Sequence, residues 1–145
     1  LIRFFGAVPV EQEEPGHRSL GRLLDALDAG EPCGIFPEGG RTSDGGLCRP
    51  YDGVGMLALR SGAPVVPITI AGAYRVWPLG RPLPRPGRMS LVIGEPVRFG
   101  GRSTRARRRE VTHEIMLRIA DGFRLSCGPR RARQERRRIE RLHPL

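Results

Sequence analysis

At 145 residues with 39% hydrophobic content, the chain is long enough for one domain with a buried core and too short for two of ordinary size. No apolar run approaches the ~18 residues of a membrane-spanning helix, and Cys33, Cys48 and Cys127 stand too far apart for a disulfide framework or a metal knuckle. The formal charge of +10 comes from 25 arginines with no lysine, and it is uneven: residues 1–97 hold ten Arg and ten acidic residues, residues 98–145 fifteen and five.

The opening LIRFFGAVPV is strand-like, with neither the basic start nor the cleavage site of a leader. With Leu1 in place of Met, it predicts a chain that begins inside a folded segment. Leu20, Leu23, Leu24 and Leu27 fall at i, i+3, i+4 and i+7, one stripe of an amphipathic helix that Gly30 can end. Cys33 to Pro37 is a short apolar run expected to form a buried strand. A loop follows it, the usual position for a site.

Gly53 to Arg60 predicts a short helix, residues 61–64 a turn, and Val65 to Ile70 a second strand, with Pro67 marking an edge or a bulge. Residues 78–88, PLGRPLPRPGR, read as an extended loop before a third strand at Met89 to Ile93 and a turn at Gly94-Glu95-Pro96. Val111, Ile115, Ile119 and Phe123 set a helix from Thr104 to Phe123. Strands separated by helical patterns indicate an α/β layered fold with a mixed, partly parallel sheet flanked by helices. The predicted domain is 1–126. Residues 127–145, with seven arginines and few apolar positions, are expected to be a disordered tail or a solvated helix.

The stretch FPEGGRTS at 36–43 carries the strongest chemical signal. Gly39 and Gly40 let the backbone approach a ligand, and successive N–H groups in such a turn make an anion-binding concavity. Arg41 adds a planar fork suited to two phosphate oxygens, with Thr42 and Ser43 as further donors. The same residue types would also make an ordinary surface turn with a weak Glu38–Arg41 ion pair. Gly53-x-Gly55-x-x-Ala58 has the spacing of a dinucleotide fingerprint, but no convincing strand precedes it and no acidic residue stands at 72–74, so it reads as helix packing. His17, His113 and His143 have no second ligand at turn or helical spacing, and no metal is expected. The few aromatic residues do not interleave with the arginines as stacking platforms for single-stranded nucleic acid.

FPEGGRTSDG followed by GVGMLALRSGAPVVPITI resembles the third and fourth sequence blocks of the glycerolipid acyltransferases, which include the 1-acyl-glycerol-3-phosphate acyltransferases. The third block there is usually Phe-Pro-Glu-Gly-Thr-Arg-Ser, matched here at Phe36, Pro37, Glu38, Gly39 and Arg41, with Gly40 for Thr and Thr42 for Ser. Val65, Val66, Pro67 and Ile68 match the fourth block, GAVPVEQ resembles the second, and IGEP at 93–96 resembles a turn these enzymes carry. The likeness covers residues 1–123.

There are two departures. Gln12 stands where the second block ends in Arg, and no His is followed by Asp five residues later, so the His-x4-Asp block that supplies the family's general base is absent. His17 lies after block two and does not take its place.

The resemblance implies an N-terminally incomplete acyltransferase fold and transfer of a fatty acyl group from an acyl-CoA or acyl-carrier-protein thioester to a lysophospholipid, 1-acyl-glycerol-3-phosphate above all. It implies an acceptor-phosphate site at Glu38, Gly39, Gly40, Arg41 and Thr42, and an acyl pocket at Val66, Pro67 and Ile68. It assigns this chain no catalytic residue, metal or cofactor. The expected setting is cytoplasmic, peripheral to the inner face of an anionic membrane. Without the base the chain is expected to be inactive as it stands. The alternative is a catalytically silent module that binds anionic lipid or nucleic acid through the phosphate loop and basic tail.

Overall fold

The computed structural model of the protein describes residues 17–145. The stretch GAVPVEQ, with Gln12, lies outside the described residues. The elements are helix α1 (His17–Asp28), helix α2 (Gly53–Ser61), strand β1 (Ile68–Ala71), a one-turn helix α3 (Ala73–Val76), strand β2 (Ser90–Ile93), helix α4 (Arg105–Cys127) and helix α5 (Pro129–Leu142).

The long helix α4 organises the domain. Thr104 caps it by accepting from Arg107 N at 3.2 Å, which satisfies an otherwise unpaired first-turn donor. Its Val111, Ile115, Met116, Ala120 and Phe123 are buried and feed two apolar clusters. In one, Val111 and Ile115 meet Val54 and Ala58 of α2 and Phe99. In the other, Met116, Ala120 and Phe123 meet Leu47, Ala71, Ala132 and Ile139. Gly55 lets α2 approach closely, since a Cβ there would collide with the Arg108 carbonyl, and its N–H donates to Thr112 Oγ1 at 3.2 Å. The Gly53-x-Gly55-x-x-Ala58 spacing is thus accounted for by helix packing. α1 lies against α2 through its buried Leu24, and Gly30 ends it at φ +81°, with Glu31 N bonded to Ala26 O.

The sheet among the described residues is two antiparallel strands, with Ile68 opposite Ile93, Thr69 opposite Val92, Ile70 opposite Leu91 and Ala71 opposite Ser90. The mixed, partly parallel sheet expected from the sequence is not formed among these residues. Residues 33–37 form no strand among the described residues, the chain turning at Pro37, and Ile35 and Phe36 are exposed, because strand propensity needs a paired neighbour to make a strand. The second predicted strand is interrupted at Pro67. Val65 makes an isolated antiparallel bridge to Val97, and β1 starts at Ile68. A side chain faces α4 at every second position: Thr69 Oγ1 donates to Ile119 O at 2.5 Å, and Ala71 joins the core. Ile68, Ile70, Leu91 and Ile93 lie on the opposite face and are exposed.

The Arg-rich segment requires a correction. Residues 129–142 form α5, neither disordered nor merely solvated, and α5 packs against α4 as part of the same core. Ala132, Glu135 and Ile139 recur at i, i+3 and i+7 and are buried, Ile139 and Glu135 at 0% exposure. Two apolar residues and a paired carboxylate on one face suffice to dock a helix whose composition alone looks too polar to fold. Ile139→Ala is therefore expected to lower unfolding stability by about 2–5 kcal/mol. Deleting residues 128–145 should abolish a cooperative thermal transition. Calorimetry checks both, and an unchanged melt in either variant would mean that α5 is not part of the core.

Candidate functional site

The site is built on the loop from Phe36 to Tyr51. Gly39 N bonds to Phe36 O at 3.1 Å and Tyr51 N to Pro37 O at 2.9 Å, closing a tight turn. Gly39 holds φ +65°, and a Cβ there would lie 2.7 Å from the Tyr51 ring, so backbone and space both require glycine. A Cβ at Gly40 meets nothing within 4 Å, so the threonine usual at this position in the resembling family would fit.

The loop's two carboxylates are both engaged, Glu38 from within and Asp44 at the surface. Glu38 Oε2 accepts from Cys48 N in a short hydrogen bond. Burial raises the Glu38 carboxyl above its ordinary range, opposed by that backbone bond, and burial likewise raises the Cys48 thiol. Thr42 Oγ1 donates to Asp44 Oδ1 at 3.0 Å and accepts from Gly45 N at 3.1 Å, while Gly46 N donates to Asp44 Oδ1 at 3.0 Å. Of the residues proposed from sequence, Glu38 and Thr42 thus serve the loop's own backbone.

Arg41 is arranged differently. Its guanidinium lies over the Trp77 ring, 5.1 Å from the centroid, and Nη2 donates to the carbonyls of Trp77 (3.3 Å) and Pro78 (3.0 Å). It is exposed, and Nε and Nη1 have no hydrogen-bond partner among the described residues. With Nη2 held by two carbonyls, the Nε and Nη1 N–H groups remain as separate donors facing solvent. The acyl candidates divide: Val66 and Ile68 are exposed on the outer side of the sheet, whereas Pro67 is buried beside Gly94, whose N–H bonds to Pro67 O at 2.9 Å. The three therefore do not line one common surface.

Helix α5 grips the far side of the loop. Arg138 forks onto Asp44, Nη1 to Oδ2 at 2.8 Å and Nη2 to Oδ1 at 3.2 Å, and Nε donates to Leu47 O at 2.6 Å. Glu135 Oε2 accepts from Leu47 N at 2.8 Å, and Oε1 makes a charge contact with Arg131 Nη2 at 2.8 Å. Arg131 Nη2 also donates to Gly45 O at 2.6 Å. His143, buried at the end of α5, places Nε2 2.9 Å from Asp52 Oδ1 at the start of α2, and its carbonyl lies 2.8 Å from His113 Nδ1. Sequence reasoning missed Trp77, Asp44, Glu135 and Arg138. The usable signal was the α5 periodicity that aligns residues 131, 135 and 138 on one side.

The geometry can be set beside known proteins. The family model described as Acyltransferase matches residues 1–71. The 1-acyl-sn-glycerol-3-phosphate acyltransferase of Bacillus subtilis (strain 168) is 36% identical over 97 residues, 67% of this chain and 46% of the relative. The crystal structure of the 1-acyl-sn-glycerophosphate (LPA) acyltransferase PlsC from Thermotoga maritima superposes with a TM-score of 0.67 at 29% identity, over 87% of this chain and 50% of that one. The chain belongs to the glycerolipid acyltransferase family. A plant relative, the chloroplastic 1-acyl-sn-glycerol-3-phosphate acyltransferase BAT2 of Brassica napus, is 32% identical over 99 residues, 66% of this chain and 29% of the relative. The chain spans about half, or less, of the length of these glycerolipid acyltransferases.

Hydrogen bonds from Arg138, foremost among the causes, hold the Asp44 carboxyl well below the usual carboxylate range. A depressed folded-state value means that Asp44 stabilises the fold above the ordinary carboxylate range and loses that contribution as pH falls through its lowered value. Arg138→Ala should return the Asp44 titration, followed by NMR, toward ordinary values. An unmoved titration would show that Arg138 does not set the charge state of the loop.

Proposed function

We propose that the chain supplies the acceptor-binding part of an acyltransferase that moves a fatty acyl group from an acyl-CoA or acyl-carrier-protein thioester to a lysophospholipid, with 1-acyl-glycerol-3-phosphate as acceptor. The observation that carries this reading is Arg41, fixed through Nη2 to the carbonyls of Trp77 and Pro78 with its Nε and Nη1 donors and its charge open to solvent. The names of the relatives support the acceptor class.

In such a reaction a base removes the proton from the acceptor hydroxyl, the alkoxide attacks the thioester carbonyl, and the thiol leaves with a proton. This chain's residues act on the other end of the acceptor. Arg41 receives the phosphate, and the backbone at Gly39 and Gly40 leaves it room. Glu38 holds the turn through Cys48 rather than touching an anion, because a carboxylate would repel phosphate. The exposed Val66 and Ile68 offer apolar surface for the acyl chain. The reaction needs no metal or cofactor, and the enzyme acts peripherally at the inner face of a cytoplasmic membrane. Among the described residues no helix is long and apolar enough to cross one.

The silent-module alternative rests on the absent His-x4-Asp block and on the basic tail. Of the tail's arginines, Arg131, Arg136 and Arg138 are engaged with Glu135, Asp121 and Asp44, while Arg130, Arg133, Arg137 and Arg141 are exposed.

Two outcomes are expected. The 145-residue chain, in which no His precedes Asp by five residues, should show no acyl transfer above background in a thioester-consumption assay; clear turnover would overturn the mechanism. It should nevertheless bind lysophosphatidic acid. Arg41→Lys keeps the charge and loses the planar fork, weakening that binding by roughly 1.5–3 kcal/mol, and Arg41→Ala should weaken it further. Binding of monoacylglycerol, which lacks the phosphate, should be poor and nearly indifferent to both changes. Isothermal titration checks this: equal losses for the two lipids would make Arg41 a purely structural residue.

A further inference from the structure

Residues 72–89, which connect β1 to β2, carry a surface that phosphate binding does not explain. The connection holds four arginines, Arg75, Arg81, Arg85 and Arg88, and no acidic residue occurs anywhere between Asp52 and Glu95. All four arginines are exposed. Interleaved with them are Trp77, Leu79 and Leu83, at 44%, 58% and 75% exposure. Solvent-facing apolar area of this extent marks a contact surface.

The connection is bonded into shape, which keeps the leucines outward. Trp77 Nε1 donates to Arg81 O at 2.8 Å, Arg85 N to Val76 O at 2.9 Å, and Arg85 Nε to Arg75 O at 2.5 Å. Arg41 is tied to the same segment through the Trp77 and Pro78 carbonyls.

We propose that the 72–89 connection docks on an anionic phospholipid bilayer. Trp77, Leu79 and Leu83 enter the boundary between headgroups and acyl chains, and Arg75, Arg81, Arg85 and Arg88 pair with lipid phosphates. An indole and two leucines among guanidinium groups suit that boundary, where one side is apolar and the other is wet and negative. An acidic protein would answer the arginines but not the leucines between them. The inference rests on the lysophospholipid reading: because Arg41 is bonded to this connection, docking brings its open fork to headgroup depth, where a lipid acceptor presents its phosphate.

Trp77 is the chain's single tryptophan, so its emission reports on this connection alone. The 145-residue chain is titrated with phosphatidylcholine vesicles with and without phosphatidylglycerol. A blue shift confined to the anionic vesicles, quenching by brominated acyl chains and weakening with salt are expected. The pair Leu79→Ser and Leu83→Ser should reduce vesicle partition about tenfold or more, and the pair Arg81→Gln and Arg88→Gln roughly thirtyfold. All four side chains are exposed, so thermal melts should stay unchanged.

Vesicle binding without a Trp77 shift would place the contact elsewhere and overturn the proposal, as would tighter binding to a polyaspartate chain than to the vesicles. Arg41-dependent binding of lysophosphatidic acid without any vesicle response would sink docking and leave the acceptor reading intact. The reverse result, a full vesicle response with Arg41→Ala indifferent to lysophosphatidic acid, would support docking and sink the acceptor reading.

Discussion

The site depends on the grip of α5 on residues 44–47. Glu135 is fully buried, and a buried carboxylate is tolerated only when its oxygens are met by donors or cations. Leu47 N and Arg131 supply them, at 2.8 Å each. From this anchor order passes along the chain. Leu47 is fixed, Cys48 follows it, and the Cys48 N–H holds Glu38 at the tip of the turn. Tyr51, bonded back to Pro37, closes the loop just before α2 begins. A helix more than eighty residues away in sequence therefore sets the position of the turn that carries Arg41.

The same arrangement settles the local charge. A phosphate dianion is repelled by any carboxylate facing it, yet the loop holds Glu38 and Asp44 within six residues of Arg41. Each is turned onto backbone N–H groups, and Asp44 is also clasped by Arg138 at 2.8 Å. With both acids engaged, Arg41 beside Trp77 and Arg49 are the loop's outward-facing cations. A cation stacked on an indole face gains attraction without losing its outer N–H groups, so Arg41 is held and remains available.

The sequence was informative wherever one segment determines its own state. The leucine stripe of α1 with Gly30 behind it, the α4 periodicity from Val111 to Phe123, and the interruption at Pro67 are properties of short windows, and the elements form there. Pairing was less legible. The run at 33–37 has strand composition but lacks a partner among the described residues, and which edge a strand uses is decided by distant chain. The α5 segment was misjudged for a related reason. Composition counts seven arginines after Cys127, while packing depends on the one face that carries Ala132, Glu135 and Ile139. The motif at 36–43 marked a loop but could not distinguish side chains that face solvent from those that hold the turn. Glu38 and Arg41 are three positions apart, yet one carboxylate points into the protein and the other side chain points out. That division is made by Cys48 and Trp77, which no local pattern connects to the motif.

Arg41 thus joins two regions with opposite mechanical character. On one side the loop is fastened to α5 by buried charge and closed on itself by the bond from Tyr51 N to Pro37 O. On the other, the 72–89 connection is joined to the core mainly through β1 and β2 and displays its large side chains to solvent. Nη2 of Arg41, bonded to the carbonyls of Trp77 and Pro78, is a direct side-chain link between the two. An amphiphilic acceptor makes the same double demand, since its charged end needs a fixed, directional partner and its apolar end needs area without direction. In the proposed function the loop at Arg41 answers the first demand and the exposed apolar surface beside it the second.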